Sequence, residues 1–214
     1  MRHIAKGTAP PALLAYVKTN SLNQNWDSLP KEEKDEVRGA LLAEQRGICC
    51  YCMQRITEQQ MKVEHYLAQS RHREASLAWS NLLAACSGGE GGPVDQHTCD
   101  TKKGNASLRL DPRNANVARN LHYLVDGTIT SDDEPEKFDL NEHLNLNVER
   151  LKENRKRVYD ALKDYLRKQL GSNRSWTKHQ LEKELEKVRS KRPFNNFMGA
   201  QEYWLLKFIR GRSA

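Results

Sequence analysis

No stretch of this 214-residue chain stays apolar for the roughly 20 residues that a membrane-spanning helix requires. Nor does an apolar segment follow the opening Met1-Arg2-His3-Ile4-Ala5-Lys6, so no secretory signal is expected and the cytoplasm is the expected location. No internal repeat is present, which excludes solenoid and array architectures. Cysteine is scarce and odd in number, five in all, so the set cannot be wholly disulfide-bonded. A chain of this length buries a core without such help. In a reducing compartment, a Cys-x-x-Cys with a later cysteine pair points to a metal instead.

The net charge of +7 is unevenly placed. Residues 144–214 hold 18 Lys/Arg against 8 Asp/Glu, which leaves 17 against 20 in residues 1–143. Hydrolytic metal sites need carboxylates and a polyphosphate partner needs cations nearby, so this division suits a nucleic-acid enzyme. Solvation of long basic helices would give the same imbalance.

Residues 10–18 predict a short helix with Leu13, Leu14 and Val17 on one face. Ser28-Leu29-Pro30 followed by Glu32 and Glu33 reads as a helix start, with Ser28 as a cap, and Gly47 as its stop. Val37, Leu41 and Leu42 are its expected core face. Residues 62–68 predict a strand that presents His65. Residues 76–85 are apolar and read as helical, and residues 87–93 are a glycine-rich loop. Asp126-Gly127 marks a hairpin that sets Leu121, Tyr123 and Val125 against Ile129. Further on, Val148, Leu151, Val158, Leu162, Tyr165 and Leu166 make one apolar stripe. A helix capped by Ser175 and a last one holding Tyr203 to Ile209 follow, the former stopped by Pro193. The expected architecture is a small α+β body with a helical C-terminal extension, divided as residues 1–46, 47–140 and 141–214.

Two kinds of site can be assembled from residues 49–105. Cys49 and Cys52, with Cys86 and Cys99, can supply four thiolates to a tetrahedral zinc, provided that the glycine-rich loop folds back. His97 competes with Cys99 as the fourth ligand, and Cys50 is the expected non-ligand. Left over is a set suited to phosphodiester hydrolysis, which needs a proton acceptor and a cation at the phosphate. His65 titrates near neutrality and is the candidate base. Glu64 and Asp100 offer oxygen ligands to Mg²⁺ or Mn²⁺. Asn81 can orient the loop that carries His65, and Lys102 or Lys103 can touch phosphate. Singly, each is an ordinary residue: a solvated acid, a turn asparagine, a free core cysteine.

Taken in order, Cys-x-x-Cys, Glu64-His65, Asn81-Leu82-Leu83-x-x-Cys86 and Cys99-Asp100-x-x-Lys103-Gly104 resemble the HNH nuclease family. That resemblance covers under a third of the chain. It implies a ββα-metal core, with N-terminal helices and a basic helical extension around it. It implies His65 as general base and Asn81 as the residue that positions it. Glu64 and Asp100 become ligands of the catalytic ion, with Cys49, Cys52, Cys86 and Cys99 on structural Zn²⁺. More narrowly, the motifs are similar to the HNH subunit of Septu-type and retron-associated anti-phage defence systems. This implies a DNA substrate and an ABC/SMC-like ATPase partner, and allows a retron reverse transcriptase with its nucleic acid. Two departures stand out: Ala68 where the family often has Pro, and the twelve residues between Cys86 and Cys99. A zinc-stabilised module that grips nucleic acid or a partner without cutting would keep the cage and basic helices, but has no use for His65 beside Glu64.

Overall fold

Helix and strand boundaries follow local chemistry at most points along the chain. The computed structural model describes residues 1–19, 25–172 and 176–212. Helix α1 (Pro11–Thr19) starts on a proline, whose missing N–H costs nothing in a first turn. Helix α2 (Lys31–Gln45) has Glu32 and Glu33 in its first turn, where the helix dipole favours acids. Ser28 does not cap it: its backbone N–H donates to Asn25 Oδ1 at 2.9 Å in a turn of its own, and Pro30 is the cap residue. The helix ends as Arg46 turns left-handed at φ 57°, followed by Gly47 at φ 73°. Of the expected face, Val37 and Leu41 are buried and Leu42 is half-buried.

Strand β1 (Met61–His65) pairs antiparallel with β2 (Leu82–Cys86), in a register running from Met61↔Cys86 to His65↔Leu82. Here the helical reading of residues 76–85 is corrected. A single 3₁₀ turn, Trp79–Asn81, leads directly into the strand. Leu82 to Ala85 are all 0% exposed, because α2 packs on β2 together with α3 (Cys99–Lys103). A strand covered on both faces shows no alternation, so its apolar run mimics a buried helix.

A second pair, β3 (Leu121–Tyr123) and β4 (Ile129–Ser131), joins Tyr123 to Ile129 as expected. Val125 is not in the ladder; it sits in the turn, 57% exposed. Gly127 has φ 88°, and a Cβ there would lie 1.9 Å from Lys152 O, so the turn can press onto the next long helix only without a side chain. That helix, α5 (Glu149–Leu170), follows α4 (Glu134–Phe138) and a π-turn at Asp139–His143. Buried Arg155 of α5 ties the turn down, donating to Gly127 O at 2.5 Å and Leu146 O at 2.7 Å. Leu151, Leu162 and Leu166 form the buried stripe, whereas Tyr165 is 42% exposed.

Helix α6 (Lys178–Ser190) is capped by Thr177, whose hydroxyl accepts from Gln180 N while the Gln180 side chain returns to Thr177 N. Ser175, the expected cap, lies outside the described residues. Helix α7 (Met198–Arg210) completes the chain's elements. One cluster of buried side chains runs from Leu13 and Val37 through Cys49, Leu83 and Leu140 to Leu166 and Trp204. The N-terminal helices, the central strands and the C-terminal helices therefore share one core. Among the described residues, no helix is long and apolar enough to cross a membrane.

Candidate metal centre and active site

The cysteine cage is built from three chain segments. After the left-handed turn at Arg46, an Ile48↔Arg55 bridge closes a short knuckle, in which Cys49 N donates to Gln54 O at 2.9 Å. Buried Gln45 fastens this knuckle to β2: its amide donates to Ile48 O at 2.9 Å and Ala84 O at 2.8 Å, and accepts from Ala84 N at 2.7 Å. Cys86 ends β2. The glycine-rich loop then folds back, with Thr98 N donating to Gly88 O at 2.8 Å, and delivers Cys99 as the first residue of α3.

The sulfurs of Cys49, Cys52, Cys86 and Cys99 all lie within 4.8 Å of one another, and Cys52 and Cys86 are 3.8 Å apart. Four thiolates at the usual Zn–S length of about 2.3 Å form a tetrahedron with edges of about 3.8 Å, so this donor set fits zinc. Hydrogen bonding to Cys49 and burial push the Cys52 and Cys99 thiols well above their ordinary range. Such crowding is relieved when a dication takes the thiolates. Of the two candidates for the fourth position, Cys99 lies in the cluster. His97 points elsewhere, with Nε2 on Gly92 O at 3.1 Å. Cys50 is outside the cluster; its backbone N–H donates to Ala84 O at 2.9 Å. Among the described residues, this is the only group of three or more His, Cys, Asp or Glu placed to hold an ion.

Beside the cage, α3 carries Asp100 up to β1. Glu64 is 1% exposed, and its Oε1 accepts from Tyr51 Oη at 2.7 Å and from Lys103 Nζ at 2.8 Å. Asp100 faces the same carboxyl, and pairs with Lys62 Nζ at 3.3 Å. Burial first, and Asp100 second, raise the Glu64 carboxyl well above the carboxylate range despite Lys103. Two acids held this way suit a divalent cation bound through oxygen, with the remaining positions filled by water or phosphate oxygens.

His65, the next residue, is 8% exposed. Its Nε2 contacts Ser76 O at 3.0 Å, and Trp26 meets the ring edge-on with centroids 6.0 Å apart. A carbonyl can only accept, so Nε2 carries the proton and Nδ1 is left basic. Burial pushes this imidazole below its ordinary pKa. Asn81 is buried and fully used: Oδ1 accepts from Leu67 N at 2.7 Å, and Nδ2 donates to Leu67 O at 3.1 Å and Ala75 O at 3.0 Å. It thereby clamps the loop whose next carbonyl, Ser76 O, holds His65.

Lys103 is a correction. Its side chain is 1% exposed and donates to Glu64 and, at 3.0 Å, to His65 O, so it cannot meet a phosphate in solvent. Lys102 is exposed on the same helix. Tyr51 and Ser76 were not read as site residues from the sequence. The Cys-x-Tyr-Cys spacing was the one available signal for Tyr51, while nothing local marks Ser76, which acts through its carbonyl. His72 sits by Glu74, His122 by Asp132 and His143 by Asp139, away from both centres.

No family model matches the chain. It is 32% identical over 100 residues to an Escherichia coli protein whose name assigns it to retron Ec83 as an HNH endonuclease. The match covers 42% of this chain and 38% of that protein. The chain therefore spans well under half the length of the curated relative, and the likeness supports an HNH relationship over the matched part.

Proposed function

We propose that the protein is a metal-dependent HNH-type endonuclease that hydrolyses DNA phosphodiester bonds, with β1, β2 and α3 as its ββα-metal unit. The observation that carries this is one arrangement: two apposed carboxyls, Glu64 and Asp100, directly beside a histidine fixed through a single ring nitrogen. When bound, Mg²⁺ or Mn²⁺ would be held by Glu64 and Asp100 and would neutralise charge at the scissile phosphate. The chain's own residues supply the rest. His65 is neutral at pH 7, because burial lowers its pKa, and its Nδ1 takes the proton of the attacking water. Asn81 keeps the Ser76 carbonyl in place, so the ring cannot turn its protonated nitrogen toward that water. Tyr51 and Lys103 fix the Glu64 carboxyl in place, and exposed Lys102 can meet a backbone phosphate. The cage positions Asp100 through its neighbour Cys99.

The retron-named relative supports a retron context. The motif resemblance, not that relative, implies an ABC/SMC-like ATPase partner in a defence system, for which the basic helices α5 to α7 would be the docking face. A second reading, a zinc-stabilised binding module, is favoured by the closure of Glu64, whose Oε1 is already occupied by two donors. Plasmid cleavage by wild type and His65→Ala, with and without Mn²⁺ or Mg²⁺, decides between them. Metal-dependent nicking lost in the variant supports the nuclease. Nucleic-acid binding without cleavage, unchanged in the variant even with the partner present, would overturn it.

A further inference from the structure

Away from the acid pair, three guanidiniums from distant parts of the chain meet on one aromatic ring. The Cζ atoms of Arg2, Arg46 and Arg192 lie 4.7, 4.8 and 5.0 Å from the centroid of Phe194. Arg46 is the left-handed residue that ends α2, and Arg192 belongs to the connection between α6 and α7. Phe194 N donates to Arg46 O at 3.1 Å, which locks these two segments together. The ring itself is 3% exposed and packs with Ile48, Met53 and Met198, so it is a fixed platform. Cation–π contact accounts for one guanidinium on a ring, and three in the same place repel one another.

Local carboxylates offset that repulsion only at Arg2. Glu202 accepts from Arg189 at 2.6 Å and lies 3.9 Å from Arg2, while Glu44 is taken by Lys6 and by Gly7 N. Among the described residues, neither Arg46 nor Arg192 has a carboxylate within 4.0 Å. Burial, then Arg192 and Arg2, lower the Arg46 pKa, the direction expected of a cation held beside like charges. A cavity of about 260 Å³ opens against Arg2, Arg46 and Phe194.

We propose that Arg2, Arg46 and Arg192 form a phosphodiester-binding site that anchors the backbone of a nucleic acid outside the cleavage centre. The planar forks of arginine match phosphate oxygens, and a phosphate can accept from several donors at once, which one carboxylate of a peptide does less well. The ring is already taken up by guanidiniums, so it offers no face for base stacking. The site therefore reads the backbone and not the bases. Its ligand rests on the nuclease reading.

The test uses the full chain with His65→Ala, to stop cleavage, and a fluorescein-labelled duplex followed by anisotropy across a salt series. Arg46→Gln/Arg192→Gln should weaken binding about tenfold or more, and flatten the slope of log affinity against log salt by about 1.8, at about 0.9 per phosphate contact. Lys18→Gln/Lys31→Gln, which removes the same charge from exposed positions on α1 and α2, should stay within about threefold. Equal losses in both pairs, or no loss in either, would overturn the site. If the Gln pair does not fold, Arg46→Lys/Arg192→Lys replaces it. That pair should bind more weakly with the slope kept, and wild-type affinity in it would count against arginine forks on phosphate. Loss of polyglutamate binding with duplex binding unaffected would assign the cluster to an acidic protein and overturn the proposal. Unchanged duplex binding beside His65-dependent cleavage sinks this site alone and leaves the nuclease reading intact. A wild type that binds no nucleic acid sinks both.

Discussion

Replacing Lys103 by Met removes the only ammonium that reaches the Glu64 carboxyl among the described residues, and both side chains are 1% exposed. At that burial, solvent screening gives no discount. Breaking a buried pair from one side costs about 3–5 kcal/mol, because the remaining charge loses its partner. For a chain of this size, each kcal/mol lowers the melting temperature by about 2–4 °C, so a fall of about 6–20 °C is expected. Glu64 can escape part of this cost by taking a proton. Burial and Asp100 already raise its carboxyl pKa, Lys103 opposes them, and deletion of Lys103 raises it further. A carboxyl whose folded pKa is raised keeps its stability below its unfolded pKa and loses it as pH climbs through the folded value. The variant should therefore be mildest near about pH 5 and worst near about pH 8. Glu64→Gln/Lys103→Met, which leaves no stranded charge, should recover most of the loss. The assay is urea denaturation of the zinc-loaded protein at several pH values, without added magnesium or manganese. A Lys103→Met protein within about 1 kcal/mol of wild type at pH 8, or a double variant no better than the single, would refute the reasoning.

Zinc analysis should find one ion per chain, retained in Cys50→Ser and lost with cooperative unfolding in Cys99→Ser; equal zinc loss in both would misplace the cage. His65→Ala should lower metal-dependent cleavage by about 10²–10⁴-fold while its melting curve stays near wild type, and residual activity above a tenth would exclude it as the base. Because burial pushes the His65 imidazole down, its ring protons followed by NMR should titrate below about 6.5, and a midpoint above that value would contradict the buried neutral ring. Gly127→Ala should cost more than about 1 kcal/mol in urea melts, since its Cβ would meet Lys152 O; a neutral result would mean that the turn does not press on α5.

The metal centre was the most legible part of the chain because thiol spacing is local, and only the glycine-rich loop had to be trusted to bring Cys99 back to Cys86. Two of the misreadings, at residues 76–85 and at Lys103, share one reason: burial is not written in sequence neighbours. Residues 76–85 read as helical because α2 and α3 pack on β2 and leave Leu82 to Ala85 fully buried, which erases the alternation that marks a strand. Lys103 looked like a phosphate contact because lysine next to glycine on a basic helix usually faces water. The register of α3 turns it inward instead, and that register is set by Cys99, whose backbone N–H donates to Leu144 O at 3.0 Å with φ at 56°. From Cys99, successive residues alternate in duty: a cage thiol, then Asp100 at the acid pair, and one turn later Lys103 beneath Glu64. The cysteine cage and the proposed acid-pair site are thus not independent. Loss of the cage would free α3, and with it both the second acid and the cation that keeps the first in place. Zinc removal should therefore abolish cleavage even under saturating Mn²⁺, and the loss of Mn²⁺ binding, not merely of turnover, is the measurement that would separate this coupling from a defect confined to chemistry.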